Sequence, residues 1–134
     1  MHTTNYYNTF IEVAPDTKAI SAIHPTAKDK RTVAQIQYEL IAGNPYKYSS
    51  DDVLFKVYAE RNNANTTNSK DRESFFSKAQ PCFRASPIPK QYGFGIHFNE
   101  NGKMALYPME SEEYRQFLND SGITKLKAMR SSKK

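Results

Sequence analysis

Residues 93–107, GFGIHFNENGKMALY, decide the fold class. Two short runs, 93–98 and 103–107, flank Asn99-Glu100-Asn101-Gly102, and Asn-Gly tolerates the positive φ that a tight turn needs, so the stretch reads as a β-hairpin. Phe94, Ile96 and Phe98 then point one way, and Gly93, Gly95 and His97 the other. The first face belongs to a core. The second is nearly bare of side chains at its start, which lets a helix, another backbone or a ligand come close. Two readings are open: a helix packs on the glycines, or Gly93 and Gly95 floor a pocket with His97 at its edge.

Just upstream, Pro81, Pro87 and Pro89 exclude a continuous helix and a central strand, leaving a shaped loop that carries Cys82, Arg84 and Ser86. Before it, a short helix is expected over 70–79, and before that NNANTTNS at 62–69 reads as a polar surface loop. Ser49-Ser50-Asp51-Asp52 signals the N-terminus of a helix with Val53, Leu54, Val57 and Tyr58 on one face, although its Val, Phe and Tyr content also suits a strand. Thr32, with Gln35 three residues on, forms a capping-box pattern for a helix carrying Val33, Ile36 and Leu40 and stopped by Gly43 and Pro45. A first strand is expected over 7–13, ended by Pro15, with a loose Lys-rich connection following to about residue 31. After the hairpin, Ser111-Glu112-Glu113 opens a helix in which Tyr114, Phe117 and Leu118 share a face. Residues 123–129 form a last strand or trail off with the basic tail. The expected class is α+β: a small antiparallel sheet with a β-hairpin, packed against three or four short helices.

A chain of 134 residues fits one domain, and its 17 aromatics, nine Tyr and eight Phe, supply a core despite a hydrophobic fraction of only 38%. The net charge of +5 sits at the end. From Gly122 onward come Lys125, Lys127, Arg130, Lys133 and Lys134 with no acid, and the remaining 14 basic groups equal the 14 acidic ones. The body is neutral and about residues 125–134 form a basic tail. One cysteine makes no internal disulfide, and no basic segment followed by an apolar run opens the chain, so a cytoplasmic location is expected. No run approaches the roughly twenty apolar residues that cross a bilayer, so no membrane role is expected.

Candidate chemistry is sparse. A Cys82 thiolate near Arg84 and Lys78, with His97 as base, would make a thiol-based site; against this, cysteine is among the most commonly buried residues. His2 and His24 stand apart, and three scattered histidines with one cysteine lack zinc-ligand spacing, so no metal is expected. Asp51-Asp52 and Glu110-Ser111-Glu112-Glu113 resemble paired carboxylates, but both mark helix starts, where the dipole accounts for them. No phosphate loop, dinucleotide fingerprint or nucleophile elbow is present, and no cofactor is expected. The tail LKAMRSSKK suits a few salt-dependent contacts to nucleic acid or another polyanion. Exposed Phe or Tyr would allow a small homo-oligomer in place of a monomer.

HTTNYYNTFIEVA (2–14), TVAQIQYELI (32–41), PYKYSSDDVLF (45–55), FFSKAQPCFRASPIPKQYGFGIHFN (75–99), MALYPMESEEYRQF (104–117) and KAMRS (127–131) together resemble a family of small bacterial proteins known only as a domain of unknown function. The resemblance covers nearly the whole chain and implies a bacterial, cytoplasmic, single-domain protein. It brings no activity, substrate or catalytic residue. The residues themselves favour a non-enzymatic binding or interaction domain that meets an anionic partner through its basic tail. The alternative is a small-ligand or thiol-dependent enzyme site around Cys82 and His97, with Gly93, Gly95 and Arg84 as ligand-binding neighbours.

Overall fold

The structure, a computed structural model, describes residues 3–25, 32–62 and 69–130. The hairpin forms as β2 (Phe94–Phe98) and β3 (Met104–Pro108), paired antiparallel with Phe98 opposite Met104 and Ile96 opposite Leu106. Its turn is local chemistry: the Asn99 side-chain oxygen accepts from the N–H groups of Asn101 and Lys103, and Gly102 takes φ +76°. β1 (Thr9–Glu12) pairs antiparallel on the other side of β2. β4 (Thr124–Lys127) then joins β1 in parallel, giving the order β3-β2-β1-β4. The class is α+β, but the sheet is mixed where an antiparallel one was expected. The chain returns from the hairpin through a helix and enters β4 in the direction of β1.

Both faces of the sheet are covered. Ile11, Ile96, Phe98 and Met104 lie on one face in the main core, with Ile36 and Ile41 of α1 (Val33–Ala42) and Val53 and Val57 of α2 (Ser50–Asn62). The other face presents Phe10, Gly95, His97 and Tyr107 to α5 (Glu112–Leu118). Consecutive residues Phe10 and Ile11 are therefore both fully buried. The strand expected over 7–13 is shorter, because Asn8 has φ +49°, which breaks the extended run and leaves Tyr7 56% exposed.

The helix starts follow their capping residues. Thr32 Oγ1 accepts from Gln35 N–H at 3.1 Å, while the Gln35 amide turns to Glu39 and does not close the reciprocal half of the box. On α2 the box does close, with Ser49 Oγ accepting from Asp52 N–H and an Asp52 carboxylate oxygen from Ser49 N–H. Asp51, 5% exposed, takes Thr4 N–H, Thr4 Oγ1 and Thr3 Oγ1 at 2.7–2.8 Å, and so pins the N-terminal segment to α2. α3 runs Ser69–Phe75, ending short of the expected residue 79, and Phe76 beyond it is fully buried.

The proline stretch carries more order than expected. A single 3₁₀ turn at Phe83–Ala85 is followed by α4 (Pro87–Gln91), with Ser86 as its N-cap and Pro87 in its first turn. Proline at the start of a helix loses nothing, since the first N–H groups have no partner inside the helix. The polar loop at 63–68 and the part of the early connection at 26–31 lie outside the described residues.

Gly95 and Gly93 make the closest approaches. A Cβ on Gly95 would stand 2.5 Å from Phe10 Cζ and 2.6 Å from Tyr114 Cε2. One on Gly93, at φ +76°, would stand 2.6 Å from the Ser21 carbonyl oxygen. Backbone yields less than a ring edge, and a positive φ adds strain of about 1–2 kcal/mol for an L side chain. Gly93→Ala is therefore expected to cost more stability than Gly95→Ala, with the latter at about 1–3 kcal/mol in urea denaturation; the reverse order would contradict the packing described. Asp51→Ala should lower stability by about 2–3 kcal/mol, since buried donors lose their acceptor, and should expose the N-terminal segment to limited proteolysis.

Candidate functional site

The sheet face under α5 holds a connected polar group. The Tyr46 hydroxyl lies 2.8 Å from His97 Nδ1 and 2.7 Å from the Tyr107 hydroxyl, and Phe117 stacks on the imidazole with ring centres 4.3 Å apart. His97 and Tyr107 come from β2 and β3, Phe117 from α5, and Tyr46 from the link between α1 and α2. Tyr46 reaches round the sheet edge because its N–H bonds Met104 O while its φ is +59°, a conformation few non-glycine residues adopt. Burial holds His97 below its ordinary pKa, with Asp120 pulling in the opposite direction. Burial, and then the hydrogen bond with Tyr107, push Tyr46 far above the usual tyrosine value. The hydrogen bonds form a relay whose sense depends on the tautomer. With Nδ1 unprotonated, Tyr46 donates to it and accepts from Tyr107; with Nδ1 protonated, both bonds reverse. Nε2 has no hydrogen-bond partner among the described residues.

Cys82 stands elsewhere. It precedes Phe83, which is buried in the core of the α1/α2 face, and lines a cleft with Gln37 and Leu54. Its side chain stands beside the Tyr6 hydroxyl, and Tyr6 packs on Phe98 of that same face at 5.2 Å between ring centres. Burial, with the thiol contact second, pushes the Tyr6 hydroxyl up to about 12, and Arg84 partly offsets this. Cys82 and His97 thus lie on opposite faces of the sheet, each beside a tyrosine hydroxyl. Gly95 is covered by Phe10 and Tyr114, and Gly93 by the backbone of Ser21 and Ala22, so the structure fills the glycine side of β2 with protein.

The basic residues are brought to one edge. Lys125 and Lys127 belong to β4, the outermost strand on its side of the sheet, and the Lys125 ammonium donates to the Asp120 carbonyl oxygen. Arg84 crosses to that strand: its Nε donates to Lys127 O at 2.8 Å and its carbonyl accepts from Met129 N–H at 2.8 Å. Arg130 is exposed, and Lys133 and Lys134 lie outside the described residues. Glu110 accepts from Ala22 N–H and Glu112 pairs with Arg115, so these carboxylates hold the loop and α5 in place. Among the described residues no cluster of His, Cys, Asp and Glu is arranged to hold a metal ion, and no helix is long and apolar enough to cross a membrane.

Tyr46, Tyr107, Tyr6 and Gln37 were not singled out from the sequence. Only Tyr46, beside Asn44-Pro45 between two helices, carried a signal, as part of a connection that had to turn.

The whole chain, residues 1–134, matches the family model described as "Family of unknown function (DUF6157)", and the protein belongs to that family. No curated protein and no solved structure matches it.

Because His97 is held below its ordinary pKa in the fold, the unfolded chain takes up its proton first as the pH falls through about 6.5. The stability this group contributes is complete above that pH and is lost below it, until the folded ring protonates as well. Urea unfolding at successive pH values between 7.5 and 5 should show that loss, and His97→Gln should flatten it. An unchanged profile in the variant would place the pH dependence elsewhere.

Proposed function

We propose that this protein is a non-enzymatic binding domain that takes an anionic partner, with nucleic acid as the leading candidate, along the β4 edge of its sheet. The observation that carries the reading is that two of the five surplus cations, Lys125 and Lys127, stand on an ordered strand. β4 is hydrogen-bonded to β1 at both ends, through Thr124 N–H to Asn8 O and Ala128 N–H to Glu12 O. Lys127 is exposed on that strand, with Arg84 docked across it and Arg130 next in line. Elsewhere in the chain basic and acidic groups balance, so an approaching polyanion is attracted to this edge and to the residues that follow it. Ordered cations bind phosphate at a lower entropic cost than a loose tail does.

Thiol catalysis with His97 as the base of Cys82 has less support, because the sheet stands between the two groups. The cytoplasmic setting suits both readings, since a single cysteine needs no oxidising compartment.

Deleting residues 125–134 would remove β4 and the buried Ala128, so neutralisation is the cleaner test. Fluorescence polarisation with single-stranded and duplex oligonucleotides at increasing salt should give affinities that fall steeply with salt concentration. Lys127→Gln and the paired change Lys133→Gln with Lys134→Gln should each weaken binding and lower the salt slope by about 1 per charge removed. Absent binding at low salt, or affinity indifferent to salt, would overturn the proposal.

A further inference from the structure

We propose that the cleft between α1, α2 and residues 81–87 binds a small, largely apolar molecule that carries a carbonyl or carboxylate oxygen, received by the side-chain amide of Gln37. This is independent of the β4 edge, which lies on another part of the fold.

The argument begins with a residue that breaks the pattern of its helix. Val33 and Gln37 stand one helical turn apart on the same face of α1, where an apolar side chain is the ordinary occupant. Gln37 is 3% exposed. Its oxygen is accounted for: Ser86 Oγ, which accepts Ile88 N–H at the start of α4, gives its own proton to Gln37 Oε1 at 2.6 Å. In this arrangement the Oε1 end of the amide faces Ser86. The Nε2 end donates to no described residue, and Gln37 lines the cleft. Nε2 keeps access to the cleft, so an acceptor oxygen that arrives there takes the place of solvent on the amide.

The cleft has the shape and lining for such a guest. It is an open cleft of about 240 Å³ with Val33, Leu54, Phe75, Pro81 and Pro87 as apolar walls, and Cys82 also lines it. A second cavity of about 470 Å³ shares Gln37, Leu54 and Phe75 and extends to Arg61. Among the described residues no carboxylate lines either cavity, and the one charged side chain there, Arg61, is a cation, so a ligand oxygen, neutral or anionic, suits the site and an ammonium does not. A role for Gln37 as a strut between α1 and α4 accounts for its oxygen alone.

Three probes test this on the full-length protein: phenylacetamide, phenylacetate and ethylbenzene. The first two present a carbonyl oxygen on an apolar body, and the third lacks the oxygen. In two-dimensional NMR the Gln37 side-chain amide signals should shift on adding phenylacetamide or phenylacetate. Alkylation of Cys82 by iodoacetamide should slow over the same concentration range. Ethylbenzene should bind about tenfold more weakly, the effect of one lost hydrogen bond in a buried site. Glu in place of Gln37 keeps an acceptor for Ser86 and removes the donor, so Gln37→Glu should also weaken phenylacetamide by about tenfold. Shifts with either carbonyl probe support the proposal, and a preference for phenylacetate assigns a part to Arg61. Unmoved Gln37 signals with undiminished Cys82 alkylation, or ethylbenzene binding as tightly as phenylacetamide, would overturn it, and these measurements on the unaltered protein stand even if the variant fails to fold.

Discussion

The side chain that Gly95 lacks sets the geometry of one whole face of the sheet. The rings of Phe10 and Tyr114 occupy the room where its Cβ would be, and this close approach seats α5 against β1 and β2. Once seated, α5 is tied down by the Tyr114 hydroxyl, which accepts the Val13 N–H beyond the end of β1. Phe117 is thereby laid over both Phe10 and His97. His97 loses water on one side and finds the Tyr46 hydroxyl on the other, and Tyr46 is there only because the α1–α2 link is bent at a positive φ. A larger residue at position 95 would lift the helix and return the imidazole to solvent. The polar cluster is a consequence of packing before it is a site.

What could be read from the sequence was local. The hairpin was legible because Asn99 and Gly102 form its turn within five residues, and the starts of α1, α2 and α5 were legible because Thr32, Ser49 and Ser111 each cap their own helix. The limits of β1 were not, since the alternation rule assumes one wet face and here Phe10 and Ile11 are both buried. Parallel pairing of β4 with β1 joins residues more than a hundred positions apart and leaves no local mark. The prolines were read as breakers, although Ser86-Pro87 has the form of an N-cap followed by a first-turn proline. Gln37 was passed over because helical spacing reports which face a residue occupies, and says nothing of where a buried amide finds its partners.

Charge tells a similar story about position and structure. Counted along the chain, Lys125, Lys127 and Arg130 belong to a basic tail, yet Leu126 and Ala128 between them turn inward, and Ala128 is buried in the main core. The strand lies at the sheet edge, where unpaired backbone groups invite association with other chains, and lysines are a common guard there. Arg84 completes the guard with its side chain on Lys127 O and its carbonyl on Met129 N–H. One set of cations therefore suits two physical roles, protecting an edge from other strands and attracting an anion to it. The two are compatible, because a phosphate backbone meets charged side chains and leaves the ladder groups alone.

The sheet also separates the two side chains best suited to chemistry, and each has been given a phenol. A thiol beside an imidazole or a carboxylate has a base to take its proton; a thiol beside Tyr6 has a neutral hydroxyl whose own proton is held up to about 12. The imidazole of His97 is in the same position with Tyr46, which burial and Tyr107 keep protonated well beyond neutral pH. Neutral phenols satisfy buried polar atoms without altering their charge, which is the role a Tyr-rich core performs at low electrostatic cost. What the fold leaves turned outward is the exposed Lys127 of its edge strand and, at the α1/α2 cleft, the amide of Gln37.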